Sequence, residues 1–186
     1  MKILETRLPG VLLIEPEVFE DDRGYFLETW SNTRYEQIGI PRSFVQDNVS
    51  RSEYGTVRGL HLQHPHSQGK LVSVLGGEVY DVAVDVRVGS PHFGEWVGVR
   101  LSADNHHQLW VPPGFAHGFC VTSEHATLAY KCSEPYHPEA EVSVAWDDPR
   151  IAVSWPIRSP ILSEKDRRAP RLEHIPVHHL PRCALE

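Results

Sequence analysis

Cysteine is scarce in this chain: 186 residues carry three, Cys120, Cys132 and Cys183, an odd number in no paired metal-ligand spacing. That fits a reducing compartment better than a disulfide framework, with the thiols expected to serve as small buried apolar groups. Long apolar runs are missing too, and the opening Met1-Lys2-Ile3-Leu4-Glu5-Thr6-Arg7 lacks the apolar core of a secretion signal. The expectation is a soluble cytoplasmic protein with no membrane partner. Positive charge is in deficit, 18 Lys and Arg against 25 Asp and Glu, for a net charge of -7. No nucleic-acid partner is therefore expected, because neutralising phosphates along a strand needs a basic face. A small phosphorylated ligand stays open, provided a few cations are focused in one cleft. No linker, repeat or low-complexity segment divides residues 1–186, so a single domain is expected, with 40% hydrophobic residues to fill its core.

What the chain does have is a succession of short strand patterns, punctuated by 15 prolines and 13 glycines. Residues 11–14 and 25–30 read as extended. Ser31 is placed to cap a short helix through Ile38, closed by Gly39 and Pro41. Residues 43–48 follow as a strand with Gln46 and Asn48 on one side and Val45 and Asp47 on the other. The clearest alternation runs over 78–88, where Tyr80, Val82, Val84, Val86 and Val88 make one apolar face opposite Val79, Asp81, Ala83, Asp85 and Arg87. Ser73, Gly76 and Gly77 read as the turn before it. Further strands are expected over 96–101, 109–111, 115–122, 127–132 and 141–146. Turn signals every eight to twelve residues mean an all-β barrel or double-sheet sandwich, a jelly roll whose mouth is lined by inward-facing polar residues.

The chemistry gathers in residues 57–71, Val-Arg-Gly-Leu-His-Leu-Gln-His-Pro-His-Ser-Gln-Gly-Lys-Leu. In a regular strand over 57–62, alternation sends His61 to one face and Arg58 to the other. Three readings compete. The cluster is a hydrated loop in a protein with twelve histidines; or His61, His64, His66 and the later His117 hold a metal; or His61 is a base with Lys70 as its electrostatic partner.

Eight segments, taken in order, resemble the dTDP-4-dehydrorhamnose 3,5-epimerase family, which has a cupin-type double-stranded β-helix. They are Asp22-Arg23-Gly24-Tyr25-Phe26-Leu27-Glu28, Phe44-Val45-Gln46-Asp47-Asn48, Arg58-Gly59-Leu60-His61, Gln68-Gly69-Lys70-Leu71-Val72, the run from Gly77 to Asp85, Pro113-Gly114-Phe115-Ala116-His117-Gly118-Phe119, Tyr130-Lys131 and Ser163-Glu164-Lys165-Asp166. Any one is weak, but together they are specific, and the resemblance spans about Val11 to Pro170. It implies epimerisation of dTDP-4-dehydro-6-deoxy-D-glucose at carbons 3 and 5 through an enolate, with no cofactor and no metal. His61 would be the base and Asp166 its orienting partner. Lys70 would donate to the enolate oxygen, and Tyr130 would return a proton from the opposite face. His117 would lie beside the substrate. Arg23, Arg58 and Lys165 would meet the diphosphate, and Glu28, Gln46, Asp47, Asn48 and Glu141 would make polar contacts, with Tyr136 offering a ring to the thymine. A homodimer, with nucleotide contacts crossing between subunits, is also implied.

Each role has a plainer counterpart: Asp166 in a capping box with Ser163, Lys70 on a solvated turn, and Tyr130 and His117 as core residues. One departure from the family pattern is Pro135, which precedes Tyr136 where many members have a second tyrosine. It keeps a mono-epimerase acting on one carbon as the alternative. A metal-dependent cupin, distinguishable by elemental analysis, and a non-catalytic sugar-nucleotide-binding module remain as readings from other classes. Against the binding module stand His61, Tyr130 and Asp166, since binding alone needs no base and acid.

Overall fold

Two antiparallel sheets stack face to face in the computed structural model, which describes residues 1–40 and 43–183. The strands are β1 (Lys2–Glu5), β2 (Leu12–Glu15), β3 (Val18–Asp21), β4 (Gly24–Leu27), β5 (Gln46–Glu53), β6 (Val57–Gln63), β7 (Lys70–Gly76), β8 (Glu78–Asp85), β9 (Trp96–Ser102), β10 (Gln108–Val111), β11 (Phe115–Val121), β12 (His125–Cys132) and β13 (Glu141–Ser143). One sheet has the order β1-β2-β10-β7-β12-β5 and the other β13-β6-β11-β8-β9, while β3 and β4 form a separate hairpin. This is the expected all-β jelly roll. Among the described residues, no helix is long and apolar enough to cross a membrane.

Period-two alternation decides what fills the space between the sheets. Val72 and Val74 of β7, Val79 and Ala83 of β8, Leu101 of β9, Leu109 and Val111 of β10, and Leu128 of β12 meet there in one buried cluster. Each Val or Leu among them contributes about 1.5–3 kcal/mol when taken out of water. Where β5, β6, β7, β11 and β12 face one another, polar residues replace these aliphatics and the layer opens into a cavity.

The segment expected to be a strand over 78–88 ends at Asp85, and it is apolar on both faces rather than one. The face expected to be apolar, with Val82 and Val84, is covered by Ile151, Leu172, Ile175 and Leu180 from the later part of the chain, which lies over the outside of the five-stranded sheet, while Val79 and Ala83 of the opposite face join the core between the sheets. Ser73 and Gly76 belong to β7 rather than to a turn. Only Gly77, with φ of +76°, makes the bend, and a side chain there would meet the backbone of His125. Lys70 therefore starts a strand and does not sit on a solvated loop. The strand expected over 43–48 runs from Gln46 to Glu53, and that expected over 141–146 stops at Ser143.

A short helix, α1 (Asn32–Glu36), follows Ser31, whose side chain makes no capping bond. Pro41, read as part of its stop signal, lies outside the described residues. The helix buries Tyr35 in a cluster with Ile14, Leu71 and Trp110. A second helix, α2 (Glu164–Arg167), is a single turn near the cavity.

Candidate active site

His61, Lys70, His117, Tyr130, Tyr136, Glu141, Lys165, Arg58 and Asp166 all line one cavity of about 760 Å³. Gln46 and Asn48 line a smaller recess of about 270 Å³ that shares His61, Lys70, Tyr130, Tyr136 and Glu141 with it. Segments as far apart in sequence as Arg58 and Asp166 thus converge, because β6, β11, β7, β12 and β5 present their inner faces to the same space.

His61 stands on β6 directly opposite His117 of β11. Its Nε2 lies 2.5 Å from Asp166 Oδ1, with Asp166 almost fully buried. Burial raises the Asp166 pKa, but the hydrogen bonds from His61 and Ser163 outweigh it, and the net direction is downward. The carboxylate is thereby kept ionised beside the imidazole. Both readings of the Ser163-to-Asp166 spacing are realised at once. Ser163 Oγ accepts from the Asp166 backbone N–H at 3.1 Å as an N-cap, and its hydroxyl donates to Asp166 Oδ2 at 2.7 Å. The cap fixes the carboxylate that fixes the base.

Arg58 and His61 share a face, contrary to simple alternation. Two steps along β11, from His117 to Phe119, match three along β6, from His61 to Arg58, so β6 carries one extra residue. That residue resets the alternation and turns both side chains inward. Gly59 makes it feasible: its φ is +126°, and a Cβ there would come within 2.6 Å of Gly118 Cα. Arg58 Nε then donates to Ser52 Oγ at 2.9 Å.

Lys70 faces the cavity from the start of β7, and burial lowers its pKa, opposed by the nearby Cys132, Glu141 and Asp81. Tyr130 lies on the neighbouring β12, and burial pushes its phenol up, so it keeps its proton well above neutrality. His117, buried, is bound through Nε2 to Asp81 Oδ1 at 2.8 Å, and the other Asp81 oxygen has no partner.

Also lining the cavity, Lys165 Nζ lies 2.7 Å from Glu141 Oε1 and the Tyr136 hydroxyl donates to Glu141 Oε2 at 3.1 Å. The Tyr136 backbone N–H donates to Gln46 Oε1, and Gln46 Nε2 to Asn48 Oδ1.

Three of the expected contact residues lie elsewhere within this chain. Asp47 alternates away from Gln46 and Asn48, is exposed, and pairs with Lys131 at 3.0 Å on the outer face of the sheet. Arg23 sits at the turn of the β3–β4 hairpin, paired with Asp21. Glu28 pairs with Arg34 at 3.1 Å. Conversely, Asp81, Ser52 and Ser163 hold cavity side chains without being expected site residues; the visible signals are a carboxylate in mid-strand at position 81 and the capping-box spacing of Ser163.

The His64-Pro65-His66 pair gathers no ligand set: His66 stacks on His137 with ring centroids 4.3 Å apart. Among the described residues, no group of three or more His, Cys, Asp or Glu side chains is arranged to hold a metal ion.

Residues 5–174 match the family model for dTDP-4-dehydrorhamnose 3,5-epimerase. The chain is 53% identical over 170 residues to the dTDP-4-dehydrorhamnose 3,5-epimerase of Pseudomonas aeruginosa, covering 90% of this chain and 94% of the relative. It is 52% identical over 167 residues to that of Neisseria gonorrhoeae, where the match covers 89% of this chain and 51% of the relative; it spans about half the length of that protein. The crystal structure of dTDP-6-deoxy-D-glucose-3,5-epimerase from Legionella pneumophila, in complex with dTDP-4-keto-L-rhamnose, superposes with a TM-score of 0.96 at 51% identity and 99% coverage of both chains.

Proposed function

Since the chain belongs to the dTDP-4-dehydrorhamnose 3,5-epimerase family, with its cupin fold and its isomerase activity on a dTDP-sugar, we propose how its residues divide that work. His61 removes the proton beside the ketone, Asp166 holds the resulting imidazolium, Lys70 donates to the enolate oxygen and Tyr130 delivers the replacement proton. The observation that carries this reading is the meeting in one cavity of the His61–Asp166 pair with a half-buried Lys70 and a half-buried Tyr130. Nε2 of His61 donates to Asp166, which leaves Nδ1 as the nitrogen that accepts a proton. Arg58, Lys165 and Tyr136 receive the nucleotide, and His117 lies beside the sugar. The residues do this without a metal or nicotinamide.

The test is NMR of the substrate in deuterated solvent. Label arriving at both carbons 3 and 5 is the expected result, and label at carbon 3 alone overturns the double epimerisation. Lys70 adds two expectations. Lys70→Ala lowers kcat about a hundredfold or more, the scale of removing one donor to a developing oxyanion. Because the donor must be protonated and burial lowers its pKa, the alkaline limb of the kcat profile falls below the ordinary lysine range. A limb at or above that range removes Lys70 from the step.

The active assembly in this reading is a homodimer in the cytoplasm. Arg23 and Glu28 lie outside their own chain's cavity, on and beside a hairpin that joins neither main sheet and exposes Phe19, Tyr25 and Phe26. Apolar side chains so displayed suit a partner subunit, which would carry Arg23 toward the neighbouring diphosphate. Light scattering should report twice the 21.1 kDa of the chain, and Arg23→Ala should weaken dTDP binding without dissociating the dimer. A 21.1 kDa particle with full activity overturns the dimer.

A further inference from the structure

Gln63 lies two residues beyond His61 on β6 and is 4% exposed. A buried carboxamide must find partners for two donors and an acceptor, and all of these go to backbone. Its Nε2 donates to His66 O at 2.8 Å and to Pro135 O at 3.2 Å, and its Oε1 accepts from His137 N at 2.8 Å. The residues immediately before and after Tyr136 are thus fastened to one side chain. Tyr136 itself is half exposed, with its N–H on Gln46 and its hydroxyl on Glu141; among the described residues, no close aromatic ring contact involves it. Its place over the cavity is set by tethers rather than by packing. The carbonyl that Gln63 holds on the near side is that of Pro135, the residue that departs from the family pattern.

We infer that Gln63 is a positioning residue for nucleotide recognition: it holds the 135–137 backbone so that the Tyr136 ring meets the base of the substrate. This rests on the reading above that Tyr136 faces the thymine. The carboxamide of Gln63 is spent on backbone partners, so the geometry assigns it to binding and not to proton transfer.

The experiment is a double-mutant cycle on dTDP affinity by calorimetry, with Gln63→Glu, Tyr136→Ala and the combined variant. Gln63→Glu keeps the shape and the acceptor for His137 but turns an oxygen toward the two carbonyls. Gln63→Met, of equal length and uncharged, is the companion should the buried carboxylate prevent folding, and melting curves report which variants fold. The expected result is that Gln63→Glu weakens dTDP about tenfold, within the range that one stacked base contributes, but less than about twofold in the Tyr136→Ala background. KM for the dTDP-sugar rises more than kcat falls. Equal losses in both backgrounds, an unchanged affinity, or a fall in kcat matching the rise in KM each overturn the inference. If Tyr136→Ala itself leaves dTDP affinity intact, the base-stacking reading falls and this inference with it. If Tyr136→Ala weakens dTDP while Gln63→Glu does not, only the role of Gln63 is lost.

Discussion

His61→Ala abolishes incorporation of solvent deuterium into the substrate while dTDP affinity stays within about twofold of the unaltered protein. The size of the effect follows from the chemistry. A proton beside a ketone is less acidic than an imidazolium by on the order of ten pK units, or about 14 kcal/mol at about 1.4 kcal/mol per unit. No group in the cavity can bridge that gap without a base in contact and a cation at the oxygen. A positioned base contributes up to about ten-thousandfold, and loss on that scale is expected here. Asp166, bound to His61 at 2.5 Å and kept ionised, has no other base to serve. Arg58, Lys165 and Tyr136 are held by bonds to Ser52 and Glu141 rather than to His61 or Asp166, which is why binding survives. Isothermal calorimetry and NMR read the two quantities separately, and a variant that keeps exchanging deuterium but loses dTDP reverses the assignment.

Tyr130→Phe separates exchange from inversion. The substitution keeps the base and the cation and deletes one hydroxyl, the one on a phenol that burial holds in its protonated form. The enolate still forms, and His61 returns deuterium to the face from which it took the proton. Inverted product falls about a thousandfold, as for loss of a general acid, while label accumulates beside the ketone. Following both signals in one NMR tube is decisive. Inversion of either carbon at the unaltered rate takes Tyr130 out of the mechanism.

The fold was legible where alternation is regular. Val79, Val82, Ala83 and Val84 announced β8, and the turn signals announced a double-sheet architecture. What covers the apolar face of Val82 and Val84 was not legible, because Ile151, Leu172, Ile175 and Leu180 come from a region with no periodic pattern of its own. Gly69 offered a solvated turn as the plainer reading of Lys70, and Ser73, Gly76 and Gly77 read as a turn; the sheet runs through Gly76 because β7 is paired on both edges, with β10 and β12. The site was legible through the order of the family motifs, and nine of those residues do converge on the cavity. Asp47 was grouped with Gln46 and Asn48 by adjacency, against its own alternation. Gln63 and Asp81 went unnoticed because their roles lie in hydrogen bonds between segments distant in sequence, which no local pattern encodes.

The extra residue in β6 has a consequence for how such a chain tolerates change. Arg58 and His61 face one cavity because of a count, three positions on one strand against two on its neighbour. Substitutions act on the identity of one side chain at a time and leave that count alone. Deleting a single residue at Gly59 would restore even pairing and turn Arg58 outward, parting the phosphate end from the proton-transfer end though every reactive side chain were still present. The spacing between the two is a property of chain length, and alignments that score residues one by one would register such a loss as a trivial gap.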